Sequence, residues 1–270
     1  MAATTTSSSS PMPPAETCPA AATMPLQASH LDTRLASPSL PIVLRTITPG
    51  DAASMSALLS APENAADPNA RPLTPDRCAA NIARQRADAS VPSVLDPADP
   101  RRVLSGPSRV NMAVVVLSPR QGGATSAGHG QDDAPLPDGE ATAAEEESDE
   151  TMIGLGGYGA IKNWVRDGKP LRAGDVGVML DPAHRGRGYA AEAMRLAIDW
   201  AFTPVSAGGP QLDLVTVTTL ADNEPMVRLA EDKLGLRGRG VRRPAEHGEP
   251  AGELYYELTA EEWKQLRPRV

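Results

Sequence analysis

The sequence predicts a single α/β domain with a mixed sheet. Three observations carry this. Apolar or β-branched runs of strand length recur near 42–47, 111–119, 151–164, 175–180, 212–220 and 253–259. Segments with helical spacing and recognisable helix starts lie between them. Proline, serine and acidic residues concentrate outside both, so the folded part is shorter than the 270-residue chain.

The elements follow in chain order. Residues 1–38 are too polar and proline-rich to bury a core and read as a disordered low-complexity tail. Residues 39–270 read as the domain, starting with a strand at Ile42 to Ile47 and a short helix that Asp51 caps and that runs to about Leu59. A second helix has Thr74 as N-cap, Pro75 in its first position and Asp76 in its first turn. Residues 91–108 read as a proline-broken loop, "NMAVVVLSP" as a strand, and about 119–150 as a disordered acidic insertion.

Strand character resumes at "TMIGLGGYGAIKNW", is interrupted by a turn-rich "RDGKPLRAGD", and returns at "DVGVML". A helix over about 188–202 places Ala190, Met194, Ala197, Ile198 and Ala201 on one stripe, with Glu192, Arg195 and Asp199 opposite. "LDLVTVTTL" is a strand, and a helix capped by Asn223 ends near Gly235. "ELYYELT" is the last strand, after which Thr259 and Glu262 form a capping box. The order is β-α-α-β, insertion, β-β-α-β-α-β.

The net charge of −8 is local. Residues 119–150 hold nine acids and one base, and the remainder carries 25 of each sign. The remainder is therefore neutral, and with only eight aromatics in the chain it offers no nucleic-acid platform. No run approaches the ~20 apolar residues of a membrane span. The start lacks the pattern of a secretory signal, and a single Arg34 in the first 40 residues is thin support for a transit peptide. Cys18 and Cys78 suggest no disulfide framework, so a cytoplasmic setting is expected.

Three glycine patterns invite a ligand. "GLGGYG" at 154–159 satisfies the dinucleotide fingerprint, yet no helix follows it. "GRGYAA" at 186–191 opens a helix, but Asp181 to His184 separate it from its strand where a dinucleotide turn is tight. The third pattern is the whole of "LDPAHRGRGYAAEA". First-turn amides lack intrahelical partners and the helix dipole adds partial positive charge. Gly186 and Gly188 admit a bulky oxyanion, and Arg185 and Arg187 add full charges. This reads as an anion cradle suited to a pyrophosphate. A nucleoside-triphosphate loop motif is absent from the sequence.

"VGVMLDPAHRGRGYAAEAM" resembles the acetyl-coenzyme A segment of the GNAT superfamily of N-acetyltransferases, whose [R/Q]-x-x-G-x-[G/A] signature is met by Arg185, Gly188 and Ala190. "IVLRTITPGDAASM" and "VTTLADNEPMVRLAEDKLGL" are similar to segments of its RimJ/RimL-like, ribosomal-protein acetyltransferase branch. Met226 stands where that branch has serine, Leu236 where it has phenylalanine, and "AEDKLG" is one residue longer than its spacing. The helix over 224–236 lacks the tyrosine that many relatives use as an acid.

The resemblance implies a mostly antiparallel sheet whose central strands splay into an acetyl-CoA slot. Val178, Met179 and Leu180 would pair with the pantetheine arm, with an amide near Met179 facing the thioester oxygen. The amides of Arg185, Gly186, Arg187, Gly188, Tyr189 and Ala190 would hold the pyrophosphate, and Asn223 the pantetheine or the amine. Asp175 matches a position where relatives carry a catalytic or water-linking glutamate, and reads equally as a turn residue after Gly174. Tyr255 and Tyr256 are alternative acids, of which only one can face the site. His184 reads as polar lining or an exposed loop residue, and Cys78 has no catalytic role. Arg237, Arg239, Arg242 and Arg243 form a basic cluster that would meet a 3′-phosphate or an acidic substrate, or else a solvated hairpin.

The expected activity is direct acetyl transfer from acetyl-CoA to a primary amine, a peptide N-terminus or a small amine, by a monomer or homodimer. A CoA-binding regulatory module without transfer activity and an NAD(P)-dependent oxidoreductase are the competing readings.

Overall fold

The computed structural model describes residues 27–64, 71–119, 148–245 and 248–267. Its strands are β1 (Gln27–Ala28), β2 (Arg34–Ala36), β3 (Ile42–Thr46), β4 (Ser93–Leu95), β5 (Val103–Ser105), β6 (Val110–Pro119), β7 (Ser148–Arg166), β8 (Lys169–Val176), β9 (Met179–Leu180), β10 (Leu214–Leu220), β11 (Val241–Arg243) and β12 (Glu253–Leu258). The helices are α1 (Ala52–Ser60), α2 (Pro75–Ala89), α3 (Tyr189–Ala201), α4 (Glu224–Arg228) and α5 (Ala260–Leu266).

The main sheet runs β11-β12-β10-β8-β7-β6-β3-β2, with β9 also on β7. Among the described residues its pairings are antiparallel except β8 with β10. A parallel pair needs a crossover, and α3 supplies it. The mixed, mostly antiparallel sheet flanked by helices is the fold the sequence predicts.

Strand alternation gives the sheet two covered faces. Ile153, Tyr158, Leu180, Val215 and Val217 share one core with Met194 and Ile198 of α3. Met152, Leu155 and Met179, one residue out of phase, pack against Met55, Cys78 and Ile82 of α1 and α2. The α3 stripe is buried at Met194, Ala197, Ile198 and Ala201. Glu192 is buried as well, rather than on a solvated face, because the Ser37 hydroxyl donates to its Oε1 at 2.7 Å.

Several sequence expectations change. The tail expected over 1–38 is ordered from Gln27, since β2 pairs with β3 along Arg34↔Arg45 to Ala36↔Val43. Residues 1–26 lie outside the described residues. The acidic insertion expected over 119–150 gives up Ser148 to Glu150, which extend β7, and 120–147 fall outside the described residues. Glu150 is held there by Arg34 at 2.5 Å and Arg45 at 3.0 Å. The expected loop at 91–108 contains β4 and β5, which form a small sheet with β1. The stretch "RDGKPLRAGD" is a hairpin: only Asp167 and Gly168 turn, both at positive φ, and β8 begins at Lys169. Asp51 closes a capping box with Thr48 and pairs with Arg45 at 2.8 Å, instead of bonding the first turn of α1.

The helix expected to run from Asn223 to about Gly235 is shorter and changes character. After α4 the chain makes a π turn over Leu229–Lys233, in which the Leu234 amide donates to Leu229 O at 3.1 Å. A π turn takes up one residue more than an α turn. The extra residue of "AEDKLG" is thus absorbed locally, and Ala230, Leu234 and Leu236 all remain buried.

His30 ties the N-terminal strap to the core. It is fully buried, edge-on to Trp200 with ring centroids 5.1 Å apart, and its Nε2 lies 3.2 Å from Ser93 Oγ. Burial and the Arg172 guanidinium pull its pKa from 6.5 down to about 4. A histidine buried neutral must charge to unfold in acid, so its contribution is complete above pH 6.5 and disappears as pH falls through about 4. The loss amounts to about 3 kcal/mol. Urea unfolding of wild type and His30→Gln across that interval should show the wild type losing stability faster by this margin. Parallel curves would refute the assignment.

Candidate active site

The site begins where β8 and β10 part. They run parallel through Ala173↔Leu214, Gly174↔Val215 and Asp175↔Thr216, and there the pairing ends. The strand expected over 175–180 breaks at Gly177 and Val178, and β9 then pairs only with β7, through Gly154↔Leu180 and Leu155↔Met179. β10 continues to Leu220 against β12 alone. Two strand edges therefore face each other without being bonded. Gly154 permits the turn of β9 onto β7, because a Cβ there would collide with Met179 O and the Leu180 side chain.

The register decides which backbone groups face the gap. The amides of Gly177 and Asp181 donate to Gly157 O at 3.2 Å and Ile153 O at 2.8 Å, both on β7. By two-residue alternation the amide of Met179 also points to β7, and those of Val178 and Leu180 point away from it. An amide near Met179 that faces the gap is therefore that of Val178 or Leu180. The sequence cannot fix this, because it does not reveal register.

The chain passes from β9 through a 3₁₀ turn, Pro182–His184, into Arg185-Gly186-Arg187-Gly188. Gly186 and Gly188 have φ of +76° and +84°, a region costly for other residues. Gly188 is the N-cap of α3, and the amide of Glu192 is the first to reach back, to Gly188 O at 3.1 Å. The amides of Tyr189, Ala190 and Ala191 precede it and have no intrahelical acceptor. The two arginines separate in role. Arg185, itself exposed, donates to Asn64 Oδ1 and to Leu180 O at 3.2 Å, so it braces the loop. Arg187 is exposed, with a bond at 3.3 Å to Ala183 O. His184 sits in the preceding turn, its Nδ1 3.9 Å from Asp181 Oδ1.

Asp175 stands at the apex of the fork, half-buried. Thr216 Oγ1 and Thr218 Oγ1 donate to its Oδ1 at 2.7 and 2.9 Å. Burial raises its pKa above 3.8, and the two hydroxyls and the charge of Lys162 counter this only in part. These threonines, absent from the sequence-derived candidates, were signalled by the i, i+2 spacing in "VTVTT", which puts both on one strand face.

Tyr255 lies opposite Thr218 and so shares the Asp175 face; Tyr256, opposite Val217, points into the other core. The Tyr255 hydroxyl donates to Glu257 at 2.7 Å, and Arg243 stacks over its ring at 3.3 Å. Burial and the Glu257 bond raise its pKa well above 10. Burial and Glu231 push Tyr256 up to about 12. Asn223 caps α4, accepting from the Met226 amide at 3.3 Å, just past the open end of β10. Cys78 is buried among apolar side chains with its thiol pKa raised, the opposite of an activated nucleophile. The basic cluster is occupied: Arg237 by Asp232, Arg239 by Glu262, Arg242 by Ala251 O at 2.6 Å, and Arg243 by Tyr255. "GLGGYG" lies inside β7, without the helix a dinucleotide site requires.

Residues 125–237 match the family model of the acetyltransferase (GNAT) domain. No curated protein matches the sequence. Among solved structures, a GNAT-family acetyltransferase from Bacillus anthracis is 12% identical, with 85% of this chain and 99% of that one covered at a TM-score of 0.48. Mycobacterium smegmatis RimJ in complex with CoA-disulfide is 17% identical, with 86% and 88% covered and a TM-score of 0.47. The ribosomal-protein-S5-alanine acetyltransferase from Vibrio fischeri is 16% identical, with 86% and 99% covered and a TM-score of 0.46. The family match spans the fork, the arginine-glycine loop and α3, and it supports a GNAT acetyltransferase domain in this chain.

Proposed function

We propose that the chain is an acetyl-CoA-dependent N-acetyltransferase that transfers the acetyl group directly to a primary amine, a peptide N-terminus or a small amine. One observation carries the reading: the unbonded edge of Val178 and Leu180 leads, within ten residues, to a helix start whose amides lack partners. An extended amide-bearing arm ending in a pyrophosphate has this sequence of needs. Bonds from the strand edge would hold the pantetheine, and the loop from Gly186 to Ala190 would hold the diphosphate. Arg187 adds charge there, while Arg185 keeps the loop in place through Asn64 and Leu180. When bound, acetyl-CoA supplies the activated acetyl thioester.

The chain's own chemistry lies with Asp175. An α-amine has a pKa near 8 and a lysine amine near 10.4, so either needs to lose a proton before it attacks. The raised pKa of Asp175 makes it a better proton acceptor than a solvated aspartate. Thr216 and Thr218 fix one of its oxygens and leave the other for an amine or a bridging water. Tyr255 is the tyrosine on the same face, although its hydroxyl is engaged by Glu257. The RimJ/RimL-like branch rests on the sequence resemblance at 42–55 and 217–236.

Acetyl-CoA should protect the fold. At 100 times the dissociation constant it should add ~2.7 kcal/mol, read as a rise in Tm. No shift at millimolar acetyl-CoA would sink the proposal. Protection without thiol release over a panel of peptides and small amines would leave a CoA-binding module.

A further inference from the structure

The sheet face opposite α3 carries an unused carboxylate at the mouth of the fork. Glu253, Tyr255 and Glu257 stand across from Leu220, Thr218 and Thr216, and therefore on the Asp175 side. Glu257 is paired with Arg166 at 2.7 Å and with the Tyr255 hydroxyl. Glu253 is half-buried, and among the described residues its side chain makes neither an ion pair nor a hydrogen bond; Arg243, across from it on β11, lies over the Tyr255 ring instead. It sits beside the last residue of β10, where that strand has already left β9. Its charge reaches Asp175, where it opposes ionisation.

The β7–β9 side of the fork is apolar on the same face. Met152, Leu155 and Met179 are half-buried against the core of α1 and α2 and offer soft, unbranched surface rather than charge. One wall is thus fitted for a cation and the other for hydrocarbon.

We propose that the acceptor is a monoamine with an apolar body, its ammonium held by Glu253 beside Asp175 and its body laid on Met152, Leu155 and Met179. The inference rests on the transferase reading above and narrows its substrate class. A polyamine would need further free carboxylates along its length. Among those on this face, Glu257 is already neutralised by Arg166.

The test uses the full chain with n-propylamine, n-hexylamine and spermidine as probes. kcat/KM should be at least about tenfold higher for hexylamine than for propylamine, since buried methylenes contribute additively. Glu253→Gln should raise KM for hexylamine about tenfold, a loss typical of one charge-assisted contact, with KM for acetyl-CoA unchanged. Met152→Gln should flatten the chain-length preference. Equal values for the three amines, a preference for spermidine, or an unchanged KM in Glu253→Gln would overturn the proposal. Calorimetry of hexylammonium binding with CoA present separates this from the parent reading. Binding that is lost in Glu253→Gln supports the acceptor site even in a chain that transfers nothing, and no binding by wild type refutes it.

Discussion

Asp175→Asn should lower kcat by about 10²- to 10⁴-fold, the range a positioned general base contributes, while raising thermal stability. The two effects share a cause. Asp175 has a raised pKa in the folded chain because burial disfavours its charge. The folded state then holds a proton that the unfolded state releases, so the contribution of this one group is greatest below pH 3.8 and is lost as pH rises through the folded value. Near neutral pH the ionised carboxylate costs stability, and asparagine removes that cost. It also keeps an Oδ1 to accept from Thr216 and Thr218, so the fork should hold its shape.

The pH profile sharpens the expectation. If Asp175 must be ionised to take the proton, the acidic limb of kcat should lie above the ordinary aspartate value, and it should vanish in the asparagine variant. Removing the Thr218 hydroxyl by Thr218→Val should move that limb further up, because a bond that favours the charged form is lost. A variant that keeps wild-type kcat, or one that unfolds more readily than wild type, would remove Asp175 from the mechanism.

The elements that flank this aspartate show what a sequence can carry. The cradle was legible because its signals are local: a proline turn, two glycines between arginines, then a helical stripe. The capping boxes at Thr48–Asp51 and Thr259–Glu262 are local too, yet only the second was read from the sequence, because Asp51 lies next to a helix that it was expected to cap. The fork itself was reached only through resemblance. It depends on which strand β9 chooses, and nothing in "VGVML" distinguishes a bond to β7 from one to β10. Which of the amides near Met179 faces the gap is hidden for the same reason. The N-terminal strap was hidden because its ordering comes from distant partners: His30 meets Ser93 and Trp200, and Ser37 meets Glu192. Composition alone classed those residues with the serine-rich stretch before them. Glu253 is not legible in the sequence, because a glutamate in a strand stands out only where, among the described residues, neighbouring carboxylates are ion-paired and its own is not.

Gly188→Val should weaken acetyl-CoA binding about 100-fold, the larger of two effects expected at the cradle. At φ +84° a side chain costs ~1–2 kcal/mol of strain, more for a β-branched one. Its Cβ would lie 3.8 Å from Leu40 Cδ1 in otherwise open space, so the added methyls would project from the loop that an oxyanion has to approach. Strain alone would lower Tm and leave protection by acetyl-CoA intact. Obstruction would abolish the protection, so the ligand-induced shift, rather than Tm itself, is the measurement that counts. Arg187→Glu supplies the electrostatic half. The residue is exposed and, among the described residues, bonds only Ala183 O, so reversing its charge should spare the fold and raise Kd about tenfold at low salt. The difference from wild type should shrink as salt screens it, whereas the Gly188→Val deficit should not. Two variants one residue apart, one salt-sensitive and one not, would distinguish a charge that attracts from a backbone that grips. If neither changes the acetyl-CoA shift, the diphosphate does not bind at this helix.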